Sequence, residues 1–190
     1  MYKVVTLSND AFMKKCHELA FLVTQDVVPE TLVAIKNGGS YVGAALKEIW
    51  NISDEQYFEI TLQRPSTKAK KGIFFKIICK LPTPILDLLR IAEATILSAL
   101  HSKKKENFEL SNDLLNRLTN SNGSILIVDD AIDSGATMFA IVSEVRKHVG
   151  NRCIKIAAIT QTSSSPAIAA DYALYQNHTL IRFPWSADKK

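Results

Sequence analysis

Cysteine is scarce in this chain: Cys16, Cys79 and Cys153 are all it has in 190 residues. Their number is odd, they are widely spaced, and no two have the spacing of metal ligands. They read as thiols of a cytoplasmic protein rather than as a disulfide framework or a zinc ribbon. Histidine is scarce as well. His17, His101, His148 and His178 form no cluster, which argues against a histidine metal centre. No apolar run is long enough to span a membrane, and no signal-peptide pattern opens the chain. No Gly-Lys-Ser or Gly-Lys-Thr follows a strand, so a Walker A loop is excluded. Repeats and low-complexity segments are missing too. The length predicts one domain, 1–190, with enough chain to bury a sizeable core.

Against these absences stands one dense stretch, Ser124-Ile125-Leu126-Ile127-Val128-Asp129-Asp130-Ala131-Ile132-Asp133-Ser134-Gly135-Ala136-Thr137. Ile125 to Val128 are apolar at every position, the mark of a central strand in a parallel sheet covered on both faces. Asp129 and Asp130 come at its carboxyl end, where open α/β sheets bind ligands. Adjacent residues of an extended chain point to opposite faces, so the two carboxylates need not share one role. Both suit sugar hydroxyls or outer-sphere partnership with a metal. Met138, Ile141, Val142, Val145 and Val149 then follow helical spacing up to Gly150, which places Asp133 to Thr137 at a helix amino end. Unpaired N–H groups and the helix dipole favour an anion there, and Gly135 lets the backbone approach a phosphate. A cap alone, with Asp133 or Ser134 in that position, accounts for one residue. It does not account for three aspartates in five positions followed by Ser-Gly-x-Thr. A phospho-receiver domain also carries an acidic pair at a strand end, but near its amino terminus; here the pair comes late.

The segment Asp129 to Thr137 resembles the phosphoribosyl-pyrophosphate (PRPP) signature of the type I phosphoribosyltransferases. The resemblance implies that Asp129 and Asp130 bind the ribose hydroxyls, partly through Mg²⁺. It implies that Asp133 lies near the base and assists proton transfer, and that Ser134, Gly135, Ala136 and Thr137 cradle the 5-phosphate. A second segment agrees. The apolar run Leu32 to Ile35 leads into Lys36-Asn37-Gly38-Gly39-Ser40 and a helix-like stretch to Trp50, which resembles the family's pyrophosphate loop. Where relatives commonly carry Arg or Lys directly before the glycines, this chain has Asn37, with Lys36 one residue earlier. The carboxyl end, Asp171-Tyr172 and Thr179-Leu180-Ile181-Arg182-Phe183-Pro184-Trp185, is similar to the tail of bacterial xanthine-guanine phosphoribosyltransferases. In those proteins the tail helps form the base pocket. By that resemblance Gln161, Leu180 and Ile181 are base-pocket candidates. Leu180 stands where the stacking residue belongs, Gln161 where a base-reading lysine belongs, and Arg182 replaces an acidic residue that helps hold metal. For Phe183 and Trp185, packing at a chain end is an equal reading.

What the resemblance implies for the whole chain is an α/β fold with a central parallel sheet flanked by helices and a small hood. It implies transfer of phosphoribosyl from PRPP to a nucleobase, a 6-oxopurine foremost, with release of pyrophosphate, and assembly as a homo-oligomer, dimer or tetramer. The alternative from another class is a PRPP-binding regulator or partner-binding module without turnover. Arg64, Ser66 and Lys68 follow the predicted strand 57–62 and are candidates for a lid. Residues 68–105 are an unusual apolar insertion, read as extra core or a dimer surface in preference to an enlarged hood. The net charge is only +4, but Arg64, Lys68, Lys70, Lys71, Lys76 and Lys80 cluster without an acid among them, and Lys103 to Lys105 follow. They read as attraction for a polyanion or as a solvated face, in preference to a nucleic-acid surface.

The remaining elements expected are a first helix capped by Asn9 or Asp10 and running to about Val27, and a short helix over 109–118. A strand over 153–159 and a final strand pair complete the order.

Overall fold

The computed structural model describes residues 3–63 and 107–186. The lid candidates Arg64, Ser66 and Lys68, the 68–105 insertion and its lysines lie outside the described residues. In chain order the elements are β1 (Lys3–Thr6), α1 (Asn9–Thr24), β2 (Thr31–Ile35), α2 (Gly38–Trp50), a 3₁₀ turn (Asp54–Gln56), β3 (Tyr57–Ile60) and β4 (Leu62–Gln63). After the undescribed segment come β5 (Asn107–Phe108), α3 (Asn112–Asn120), β6 (Ile125–Ile132), α4 (Ala136–Val149), β7 (Ile154–Gln161), β8 (Tyr172–Gln176) and β9 (Thr179–Arg182).

Five strands form one parallel sheet in the order β3-β2-β6-β7-β8. The apolar runs of β2 and β6 are explained by burial on both faces. On one face Leu32, Ala34, Leu126 and Val128 pack with Cys16, Leu19 and Val23 of α1 and Val42 and Leu46 of α2. On the other, Val33, Ile35, Ile125 and Ile127 pack with Leu114 and Leu118 of α3 and Met138, Ile141 and Val145 of α4. The period of two within each strand thus sorts its side chains into two cores. Gly43 lets α2 lie close on β2: a methyl group there would sit 2.6 Å from that of Ala34.

Several expected boundaries shift, each for a local reason. The cap of α1 is Ser8, whose hydroxyl accepts from the Ala11 N–H at 3.1 Å, not Asn9 or Asp10. The helix stops at Thr24, ahead of Val27, and the Asp26 N–H closes its end with a tighter bond to the Val23 carbonyl at 3.1 Å. Ser111 caps α3 by accepting from Leu114, so that helix begins at Asn112. The final strands do not pair with each other. β8 extends the main sheet beside β7, whereas β9 pairs in parallel with β1, from Lys3 opposite Thr179 to Thr6 opposite Arg182. β1 went unread in the sequence because four residues carry too little periodicity to be seen without their partner.

The amino edge of the sheet is tied by a polar network. Arg117 donates to the Glu30 carboxylate at 2.8 Å, and Ser121 donates to the same carboxylate at 2.6 Å. Arg152 donates to the carbonyls of Leu118 (2.6 Å) and Gly123 (2.7 Å) and to the Ser121 hydroxyl (3.1 Å). Arg152 is only half-buried, yet its loss strands two carbonyls where α3, β6 and β7 meet. Arg152→Met is expected to lower stability by about 2 kcal/mol, read as a lower urea midpoint at unchanged slope.

Candidate functional site

Counted in chain order, the five sheet strands lie 2-1-3-4-5, so the chain leaves β2 on one side for β3 and returns on the other for β6. That reversal leaves a crevice at the carboxyl ends of β2 and β6, the place where open sheets of this kind hold ligands. Both loops singled out in the sequence open onto it. The Lys36–Gly39 loop follows β2 and starts α2; the Asp133–Thr137 loop follows β6 and starts α4.

The acidic pair lies between them and is touched by the first loop. A methyl group on Gly38 would sit 2.0 Å from Asp130 Oδ2, and one on Gly39 would sit 2.9 Å from Asp129 Oδ1. Only a residue without Cβ lets α2 begin against these carboxylates. β6 continues to Ile132, so the pair sits within the strand, and its two carboxyl groups stay close enough to interact. The start of α2 nevertheless crosses the strand end and meets both. Asp129 folds back to accept the Asp130 N–H at 2.8 Å. Burial and the neighbouring Asp130 charge push the Asp129 carboxyl well above the ordinary carboxylate range, and burial pushes Asp130 up as well.

Asn37, next to the glycines, has φ 91° and ψ −112°. A non-glycine residue there stores about 1–3 kcal/mol of strain, which neighbouring contacts must hold. Its side chain makes no cap for α2, and among the described residues no other side chain accepts from the first N–H groups of that helix. Lys36 beside it is exposed, and its N–H donates to the Ile60 carbonyl at 2.8 Å.

In the second loop, the cap of α4 is Gly135 at φ 73°, not Asp133 or Ser134. Its left-handed conformation turns the chain so that Ala136 and Thr137 open the helix. The loop is braced from behind: the Ala167 N–H donates to the Ser134 carbonyl at 2.8 Å, and Gly135 is packed against Pro166 and Ile168. Gln161 holds that brace. Its amide donates to the Ser163 carbonyl at 3.2 Å and accepts from the Ala170 N–H at 2.9 Å. The residue expected to read a base is therefore occupied in shaping the 162–170 loop. Asp133 is exposed, and one of its oxygens accepts the Thr162 hydroxyl at 2.6 Å. Thr162 was not singled out in the sequence. It reaches Asp133 because β6 and β7 are neighbours, which no local spacing announces.

Leu180 and Ile181 are buried on β9, Ile181 in the core beside α1, and Arg182 is buried with a donation to the Thr6 hydroxyl at 3.1 Å. Phe183 and Trp185 pack with Phe12, so the chain-end packing reading holds for both rings.

Two adjacent, half-buried carboxylates whose charges repel are a donor set that a hard divalent cation relieves. Among the described residues no third His, Cys, Asp or Glu joins them. That fits a cation such as Mg²⁺, which takes one or two carboxylates and completes its shell with water and substrate phosphate oxygens.

No family model matches the chain, and no curated protein matches it significantly in sequence. Solved structures do. A xanthine-guanine-hypoxanthine phosphoribosyltransferase from Helicobacter pylori superposes with TM-score 0.66 at 20% identity, over 98% of this chain and 96% of that one. A purine phosphoribosyltransferase from Pyrococcus horikoshii gives 0.61 at 19% identity, over 96% and 93%. A hypothetical protein from Neisseria gonorrhoeae with bound ppGpp gives 0.62 at 15% identity, over 97% and 90%. These likenesses establish the fold, that of the type I phosphoribosyltransferases, as the motif implied. No described helix is long and apolar enough to cross a membrane.

Proposed function

We propose that this chain is a Mg²⁺-dependent phosphoribosyltransferase that transfers 5-phosphoribosyl from PRPP to a nucleobase, a 6-oxopurine foremost, and releases pyrophosphate. One observation carries the reading: two helix-opening loops flank a half-buried acidic pair at a single switch point. PRPP has a matching sequence of groups, with a phosphate at one end, a diol in the middle and a pyrophosphate at the other end. The N–H groups opening α4, with Ser134 and Thr137, suit the 5-phosphate. Asp129 and Asp130 suit the diol, and the N–H groups opening α2, with Lys36, suit the pyrophosphate.

In the transfer a base nitrogen bonds to the anomeric carbon as the carbon–oxygen bond to pyrophosphate breaks. Charge grows on the departing pyrophosphate, where the fixed N–H groups of the glycine loop stabilise it without reorganising. Mg²⁺, held by Asp129 and Asp130, would supply further neutralisation of that charge. Positive charge grows on the ribose ring, and the acidic pair below it opposes no such charge. The proton leaving the base nitrogen passes to Asp133, whose second oxygen is left open by the Thr162 bond.

The second reading, a PRPP-binding regulator without turnover, is favoured by three particulars. Asn37 replaces a cation, the Gln161 amide is bound to its own loop, and Leu180 is buried. A turnover assay with PRPP, Mg²⁺ and a panel of purines and pyrimidines separates the two. Base-dependent pyrophosphate release is expected; PRPP binding without release from any base would establish the regulator. The same purified protein would report its oligomeric state, expected to be a dimer or tetramer, by sedimentation.

A further inference from the structure

Thr162 is buried one residue beyond β7, and its N–H, carbonyl and hydroxyl are all engaged. The N–H donates to the Ile132 carbonyl at 2.9 Å, which carries the β6–β7 pairing one step past Gln161. The carbonyl accepts the His178 N–H at 3.0 Å. The hydroxyl donates to Asp133 Oδ1 at 2.6 Å.

The bond from His178 depends on the two-residue connection between β8 and β9. Asn177 and His178 both take positive φ, 52° and 63°, a conformation more common for asparagine and histidine than for most residues. The tight reversal sets the start of β9 against the end of β7, where the buried Thr160 hydroxyl also donates to the Thr179 carbonyl at 2.8 Å. The ends of β6 and β7 and the β8–β9 turn therefore meet at one threonine.

Asp133 is placed quite differently. It is exposed, on the loop that opens α4. A side chain in that setting ordinarily moves among rotamers, and fixing it costs entropy. Here the fixing donor comes from a buried β-branched residue, stiff about its first side-chain torsion and tied through its main chain on both sides. One hydroxyl carries one proton, so it occupies one carboxylate oxygen and leaves the other to accept. Such a supported contact holds a reacting group in one geometry.

We propose that Thr162 is a positioning residue for the proton transfer: held by Ile132 and His178, its hydroxyl fixes Asp133 so that the second carboxylate oxygen is presented to the attacking base. As the base nitrogen bonds to the anomeric carbon and the bond to pyrophosphate breaks, the nitrogen's proton moves to that oxygen, and Thr162 keeps its own. The role in turnover rests on the phosphoribosyl-transfer reading above; the Thr162–Asp133 link does not.

Thr162→Val keeps the shape and removes the donor, whereas Thr162→Ser keeps the donor. With PRPP, Mg²⁺ and the base that gives the fastest pyrophosphate release, Thr162→Val is expected to lower kcat about tenfold at unchanged KM for PRPP. Thr162→Ser is expected to restore most of that turnover, and Thr162→Val is expected to cost nothing further in the Asp133→Ala background. An undiminished kcat in Thr162→Val, an equal loss in Thr162→Ser, or the same loss again in the double variant overturns the proposal. A wild-type protein that releases pyrophosphate with no base refutes the transfer reading, and the turnover role with it. The link is then read separately by urea denaturation of the two single variants and the double. Midpoint shifts that do not add show that Thr162 holds Asp133; shifts that add overturn the link itself.

Discussion

Replacing both Asp129 and Asp130 with asparagine is expected to remove PRPP binding almost entirely while making the unliganded protein more stable. The two effects come from one arrangement. Each carboxylate offers a charge-assisted bond worth about 1.5–3 kcal/mol, so losing both is expected to cost on the order of a thousandfold in affinity by calorimetry. Without ligand, the same two groups lie half-buried next to each other and repel. Their carboxyl pKa values are raised in the folded protein relative to the unfolded chain. The folded state therefore binds more protons above the ordinary carboxylate pKa, and stability falls as pH rises through the interval between the unfolded and folded values. The double variant escapes that loss. At neutral pH it is expected to melt about 2–4 °C above the parent, equivalent to about 1 kcal/mol for a chain of this size. The gap closes as pH falls toward the ordinary carboxylate pKa. A variant less stable than the parent at neutral pH would show that the pair holds the fold rather than a ligand. Unchanged PRPP affinity would remove the pair from the site.

Gly135→Ala is expected to damage fold and site together. Gly135 has φ 73°, where an L-residue costs about 1–2 kcal/mol. An added methyl group would lie 2.8 Å from the Ile168 carbonyl oxygen, 2.9 Å from the Ile168 nitrogen and 2.9 Å from the Pro166 Cβ. These atoms cannot easily yield, because the 162–170 loop is held by Gln161 at both ends and by the Ala167–Ser134 bond. The expected loss is about 2–4 kcal/mol of stability by urea titration. Affinity for ribose 5-phosphate or PRPP is expected to fall about a hundredfold, since an ångström of displacement in a positioning loop is enough. Gly150→Ala is the control. Gly150 also has positive φ, 56°, but an added methyl group there meets nothing within 4 Å. It is expected to cost only the conformational part and to leave affinity alone. Equal affinity losses in the two variants would mean that global destabilisation, not the loop, sets ligand binding.

The core of this molecule was legible because its signals are local. β2 and β6 are apolar at consecutive positions, and that pattern already demands cover on both faces. The Asp129–Thr137 segment carries strand, acids, turn and helix start within one window, so its chemistry could be read before its surroundings were known. Gly38 and Gly39 were read as the glycines of a pyrophosphate loop, free to take the backbone conformation it needs. The structure shows that they also let the backbone lie against Asp129 and Asp130.

What escaped the sequence depends on strand order and chain ends. Thr162 meets Asp133 only because β7 lies beside β6, and Trp185 stacks on Tyr41 of α2 from the far end of the chain, where β9 pairs with β1. Gln161 has the side chain of a base reader, but its neighbours on the loop offer its amide nearer partners. The sequence by itself determined the α/β class, the two phosphate-type loops and the acidic pair, since each is written in residues a few positions apart and obeys the short periods of strand and helix. Only the tertiary structure decided that the two loops share one crevice and that the glycine loop rests on the acidic pair. Those contacts join residues far apart in the chain, and nothing in local propensity or spacing specifies which distant segments will pack together.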